Sequence, residues 1–224
     1  MIPKVIYMCH KTLNDIQIHS QNWKKLNPEY EIKLYDDKMC KDFLLKEYSQ
    51  LHLDIFNFLK DGPIKSDFWR VCVIYKYGGI YADADIQPIV PLCDYLEDSD
   101  DFVTCISINF KKTKLKWQFN PHFLACHKND EILKQCIDRY ITQYNDKKPY
   151  SYWKWSVCVL LVMKGVTQKK SQILYIHGKK YKFLYEKNFN TCEYAGKVVM
   201  KNRYPFYKNH NFTKKNKSKK LKHK

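Results

Sequence analysis

Residues Tyr77-Gly78-Gly79-Ile80-Tyr81-Ala82-Asp83-Ala84-Asp85-Ile86 carry a helix stop, a strand and two acids within ten positions. Upstream, Ile64, Phe68, Val71, Cys72 and Tyr75 recur in steps of three and four, which predicts one buried helical stripe. Asp61-Gly62-Pro63 is a turn that sets a proline near the start of that helix. Gly78-Gly79 ends it, because glycine readily takes the left-handed cap conformation. Ile80 to Ile86 then reads as a strand. Moving toward the N-terminus, Val5 to Cys9 reads as a buried strand and Asn14 to Lys25 as a helix closed by Asn27-Pro28. Glu31 to Tyr35 alternates as a second strand. Met39, Phe43 and Leu44, then Leu51 to Leu59, give two more helices. This repeated strand-helix-strand order predicts an α/β fold, a Rossmann-like, mostly parallel sheet flanked by helices.

Toward the C-terminus, Phe102 to Ile108 and Phe123 to Cys126 read as strands. Leu133, Cys136, Ile137, Tyr140 and Tyr144 mark an amphipathic helix. Trp153 to Met163 is expected to form a buried helix ended by Gly165. Ile173 to Ile176 and Tyr181 to Tyr185 read as late strands. With 224 residues the chain suits one substantial domain. That domain is expected over residues 1–207, with 208–224 as a disordered tail.

Strand periodicity gives the acids their geometry. If Ile80 to Ile86 is one strand, Tyr81, Asp83 and Asp85 face the same way, with the two aspartates about 7 Å apart at Cα. Carboxylates held that close repel unless a cation neutralises them. An oxygen-only pair favours Mg²⁺ or Mn²⁺, completed by water and a diphosphate. Asp98-Ser99-Asp100 has the same spacing but lies in the acidic run Glu97 to Asp101, and is expected to be a solvated loop. On the preceding helix Asp67 and Arg70 are three apart, and Ser66 and Arg70 four apart, so all share one face. They form either a surface ion pair or a grip on sugar hydroxyls, the carboxylate accepting and the guanidinium donating.

Composition narrows the partners. Formal net charge is +17, and eight lysines without an acid in 208–224 supply nearly half of it. A basic body favours nucleotides, diphosphates or acidic surfaces. The lysine tail lacks the interleaved aromatics of a nucleic-acid binder, so no specific nucleic acid is expected, only contact with an acidic surface. The nine cysteines are scattered without a C-x-x-C pair, which fits reduced thiols in a cytoplasmic protein, soluble or peripherally attached to a membrane. No apolar run reaches membrane-span length.

Lys65-Ser66-Asp67-Phe68-Trp69-Arg70, followed by Tyr77 to Asp85, resembles the core motif of the DXD sugar-binding glycosyltransferases, glycosyltransferase family 32. That family pattern runs S-D-x-x-R, a short hydrophobic spacer, then G-G-x-Y-x-D-x-D. Ile2-Pro3-Lys4-Val5-Ile6 resembles the family's opening strand, and Trp23 to Tyr30 its W-x-x-x-N-P segment. Tyr7 and His10 stand where relatives commonly carry His and Trp. Tyr7 offers a ring to stack on a nucleotide base, yet as a strand residue it is equally a core residue.

The resemblance implies a GT-A fold, a UDP- or GDP-linked sugar donor, retention of configuration, and an acceptor that is a glycan, protein or lipid. It implies that Asp85 binds the metal, that Asp83 touches metal or ribose, and that Asp67 and Arg70, with Ser66, orient the donor. It also offers Asn120 near the donor sugar and His210 as a further metal ligand. Two rivals stand beside it: a metal-dependent phosphatase or nuclease using the same acids, and a basic polyanion-binding module without catalysis. Ile86-Gln87-Pro88 lacks the threonine that follows D-x-D in haloacid dehalogenase phosphatases.

Overall fold

Val5–Cys9 (β1) pairs in parallel with Glu31–Tyr35 (β2) on one side and Gly79–Ala82 (β3) on the other, and these three strands form the parallel core. The computed structural model describes residues 1–108, 117–156, 162, 171–187 and 190–202. The longer helices among the described residues are α1 (Leu13–Leu26), α2 (Asp37–Glu47), α3 (Gln50–Phe58), α4 (Gly62–Tyr77) and α5 (Glu131–Asn145). The remaining strands are β4 (Ile86–Pro88), β5 (Phe102–Ile108), β6 (Trp117–Cys126), β7 (Ile173–Ile176), β8 (Lys179–Lys187), β9 (Thr191–Tyr194) and β10 (Lys197–Asn202). They extend the sheet in the order β2-β1-β3-β6-β5-β8-β9-β10-β4, with β7 beside β8. Pairing of β5 with β8 is parallel again, and β6 joins β3 and β5 antiparallel.

Alternation along the strands divides the core into two layers. Tyr7, Cys9 and Tyr81 face the layer filled by α2 to α5, with Phe56, Phe68, Trp69, Leu133 and Tyr140. Ile6, Met8, Ile80 and Ala82 face the other, where α1 contributes Ile16 and Trp23. Helices on both faces of the sheet are what the strand-helix-strand reading predicted. Trp23 also acts through its polar edge, its Nε1 donating to the Ile86 carbonyl at 3.1 Å. Fully buried Asn27 accepts from the Leu92 amide at 2.7 Å. The tryptophan and asparagine of W-x-x-x-N-P thus tie α1 to the chain that follows the acid pair.

Two glycines set the entry to β3. Gly79 has φ +105, and a Cβ there would stand 2.8 Å from the Val5 carbonyl. Gly78 has φ +68 and an equally close neighbour, the Lys128 amide at 2.7 Å. Glycine is therefore required where α4 turns into a strand lying tight against β1.

Several expectations need correction. Ile80 to Ile86 is not one strand, because β3 ends at Ala82 and Asp83 to Asp85 turn before β4. The Ile86 amide closes that turn on the Asp83 carbonyl at 3.1 Å. The second acidic pair is a loop, but Asp100 is fully buried, 2.7 Å from buried Lys182 and 3.1 Å from Lys180. A charge can be buried when it is paired, and β8 delivers both lysines to this loop. Tyr152 to Ser156 are helical, whereas most of the expected Trp153–Met163 helix lies outside the described residues. The lysine-rich tail also lies outside them.

Candidate functional site

β6 does not run straight past the end of β3. Thr104 of β5 faces Leu124, but the next residue, Cys105, faces Asn120, so β6 bows away from β5 across 121–123. Proline cannot donate to a ladder and belongs at such irregularities, and Pro121 sits in this one. The bow frees two carbonyls. Pro121 accepts from Arg70 Nη1 at 2.6 Å, and His122 accepts from the Asp83 amide at 2.8 Å. A strand irregularity thereby fixes both the arginine of α4 and the first acid of the turn.

Arg70 is only 4% exposed at its side chain, and its donors all point to named acceptors. Nη2 lies 3.0 Å from Asp67 Oδ1 and 3.0 Å from Asp83 Oδ1, and Nε donates to the Ser66 carbonyl at 3.3 Å. The guanidinium stacks 4.5 Å above the Tyr81 ring, and the Tyr81 hydroxyl donates to the same Asp83 oxygen at 2.6 Å. Burial works against the arginine's charge, but Asp83, Tyr81 and Asp67 outweigh it and keep the guanidinium protonated. The Ser66 hydroxyl lies on the same helix face, 3.4 Å from the Cys9 sulfur.

Burial raises two of the acids in the same direction. Burial pushes the Asp67 carboxyl up to about 7, with Arg70 pulling it down and Asp83 pushing it further up. Burial and then Asp83 push Asp85 up to about 7 as well, against His122 and Arg70. Asp83 has Arg70 and Tyr81 as partners, so Asp85 is the acid of the turn whose negative charge is least compensated. Added positive charge beside it would relieve that burial penalty.

These groups open onto a cleft of about 500 Å³ lined by Ser66, Arg70, Tyr81, Asp83, Ala84 and Asp85. Lys11, Lys60 and Lys65 border the same cleft, so a polyanion entering it would meet positive charge. Its volume falls within the usual range for small-molecule sites.

Of the residues singled out from sequence, Ser66, Asp67, Arg70, Asp83 and Asp85 come together here. Tyr7 does not line the cleft: it is 3% exposed and stacked on Tyr77 with ring centroids 6.3 Å apart. Asn120, beside the bow in β6, donates to Glu186 at 3.0 Å. His210 lies outside the described residues. Sequence reasoning gave no role to Tyr81, although Tyr81-Ala82-Asp83 already set its ring on the aspartate's side of the strand. The Pro121 and His122 carbonyls left no local signal, since backbone acceptors are not visible in residue types.

Residues 14–103 match the family described as glycosyltransferase sugar-binding region containing DXD motif. The initiation-specific alpha-1,6-mannosyltransferase of Candida albicans is 26% identical over 84 residues, 37% of this chain and 22% of that protein. Mannosyl phosphorylinositol ceramide synthase SUR1 of Saccharomyces cerevisiae is 35% identical over 92 residues, 38% of this chain and 23% of that protein. The chain therefore spans less than a quarter of the length of these curated relatives. Among solved structures, PaToxG glycosyltransferase superposes with a TM-score of 0.55 over 73% of this chain and 69% of that chain, at 16% identity, a likeness of fold. Residues 14–103 thus resemble a glycosyltransferase sugar-binding region containing the DXD motif, and the chain carries a GT-A fold.

Proposed function

We propose that this protein is a metal-dependent glycosyltransferase that moves a sugar from a UDP- or GDP-linked donor to an acceptor hydroxyl, with retention of configuration. The observation that carries this reading is the Arg70 guanidinium held 3.0 Å from both Asp67 and Asp83, beside Asp85 in a cleft bordered by lysines. The donor set fits a hard divalent cation: it offers carboxylate oxygens, and a cation beside half-buried Asp85 would favour its ionised form. Asp85, with Asp83, would hold Mn²⁺ or Mg²⁺, and His210 is the candidate further ligand. When bound, the ion supplies positive charge against the departing diphosphate.

The chain's own groups do the positioning. Arg70 fixes Asp83 through Nη2 and Asp67 through the same nitrogen, so the two carboxylates hold still while the donor docks. Asp67 accepts from sugar hydroxyls and Ser66 contributes a further polar contact. Lys11, Lys60 and Lys65 draw the diphosphate toward the cleft. An acceptor hydroxyl attacking on the face the diphosphate leaves needs no protein nucleophile. The acceptor is a hydroxyl of a glycan, protein or lipid. The named relatives are mannosyl-transferring enzymes, so mannose-bearing donors head the screen.

The deciding experiment measures nucleoside-diphosphate release from UDP- and GDP-sugars with Mn²⁺ or Mg²⁺, for the natural chain and for Asp85→Asn. Ion-stimulated release by the natural chain, lost in a folded Asp85→Asn, is expected. Undiminished turnover in that variant would refute the assignment. Hydrolysis of simple phosphomonoesters without sugar release would favour a phosphatase instead.

A further inference from the structure

Behind the cleft, three strands bring together side chains that the sugar-transfer reading does not use. Cys105 on β5, His122 in the bow of β6 and Cys192 on β9 are all buried, and their ligand atoms lie within 4.8 Å of one another. The two sulfurs are 3.9 Å apart, and His122 Nε2 is 3.2 Å from the Cys192 sulfur. In a tetrahedral zinc site, Zn–S near 2.3 Å and Zn–N near 2.0 Å put two sulfurs about 3.8 Å apart and sulfur and nitrogen about 3.5 Å apart. Two of the three separations are therefore within a few tenths of an ångström of those an ion needs, and the third lies within 4.8 Å. We infer that Cys105, His122 and Cys192 form a binding site for a thiophilic divalent cation of the zinc type, separate from the acid pair.

The surroundings match such a site. The other ring nitrogen of His122, Nδ1, faces Glu186 Oε1 at 3.8 Å, an ionic contact a small shift would turn into the carboxylate-histidine hydrogen bond that orients metal-binding imidazoles. Glu186 is itself 1% exposed and held by Ser107, Asn120 and Asn202. Among the described residues its ionic partner is that histidine, so a cation bound to His122 would also compensate this buried carboxylate. In the same apolar layer as Cys105 and Cys192, Tyr95 is 1% exposed and its hydroxyl has no hydrogen-bond partner among the described residues. Polar groups orphaned in a core are uncommon and call for an explanation, which an ion with a bound water would supply.

Such an ion would tie β9 to β5 and β6, which lie far from it in the chain. It would also brace the His122 carbonyl that receives the Asp83 amide. Its existence does not depend on the sugar-transfer reading, because the ligands are sulfur and nitrogen rather than oxygen.

The test uses the reduced full chain and Co²⁺ as a spectroscopic substitute for zinc. Binding of one equivalent with thiolate-to-cobalt charge transfer and tetrahedral visible bands is expected, with an absorption-edge fit of two sulfurs and one imidazole. Asp83→Asn should keep these bands, and a folded Cys192→Ser should lose at least half of the charge-transfer intensity. If Cys192→Ser fails to fold, the ligand count from X-ray absorption on the natural chain decides alone. No thiolate band in the natural chain, a band of undiminished intensity in Cys192→Ser, or a Cys105–Cys192 disulfide that resists reduction would each overturn the inference.

Discussion

Arg70 Nη2 sits 3.0 Å from Asp83 Oδ1 and 3.0 Å from Asp67 Oδ1, so one nitrogen couples the helix before the Gly-Gly break to the turn after it. The remaining donors anchor the arginine to backbone, Nη1 to Pro121 and Nε to Ser66. The S-D-x-x-R segment and the D-x-D segment are thus one unit, joined by a planar fork that is itself fixed to the bow in β6. Moving either acid requires moving the guanidinium, and that is held from three sides.

Arg70→Lys tests that coupling. Lysine keeps the charge but lacks the planar fork that reaches Pro121, Asp67 and Asp83 together. A charged hydrogen bond is worth about 1.5–3 kcal/mol, and at least one buried acceptor is left unsatisfied. Chemical denaturation should show a loss of about 2–3 kcal/mol. Donor turnover should fall by about 10²-fold or more, since misplacement by an ångström costs that much. Turnover within twofold of the natural chain would show that charge alone suffices.

Much of this arrangement was legible in the chain, and the failures have physical causes. The helical stripe of α4, the glycine stop and the faces of Ser66, Asp67 and Arg70 follow from local periodicity, and the structure agrees. Asp83 and Asp85 were read as one strand because alternation continues through Ile86. The strand instead ends where the Asp83 amide meets His122, a partner set by long-range pairing that no local pattern encodes. Asp100 looked solvated within its acidic run, yet Lys180 and Lys182, some eighty positions later, bury it. Cys105, His122 and Cys192 likewise meet only through sheet order.

The acids make stability depend on pH in a definite direction. Asp67 and Asp85 hold protons up to about 7 in the ion-free fold, whereas unfolded carboxyls release them near 4. Between those values the folded chain binds more protons than the unfolded one, so stability falls as pH rises from about 4 to about 7. Asp85→Asn removes one of these groups. With chelator present, its Tm should equal that of the natural chain near pH 4 and exceed it by a growing margin up to pH 7.5. Mn²⁺ should reverse the order at pH 7.5 by stabilising only the natural chain, with affinity increasing as pH rises through 7. A pH-independent Tm difference between the two proteins would mean that Asp85 does not titrate in this range.

Gly79→Ala addresses the approach of β3 to β1, on which the position of the acids depends. At φ +105 an alanine is strained, and its methyl would stand 2.8 Å from the Val5 carbonyl, a backbone atom that cannot step aside. Positive φ alone costs a non-glycine residue about 1–3 kcal/mol. Gly196 supplies the control, because it has φ +79 and nothing within 4 Å of the added carbon. Gly196→Ala should therefore lose about 1–2 kcal/mol in urea denaturation. Gly79→Ala should lose more than that, the excess reporting the clash. It should also lower turnover, because β3 must move away from β1 and carry Tyr81 and Asp83 with it. Equal losses in the two variants, with turnover intact, would mean that β1 and β3 tolerate a wider spacing and that the turn is not positioned by their contact.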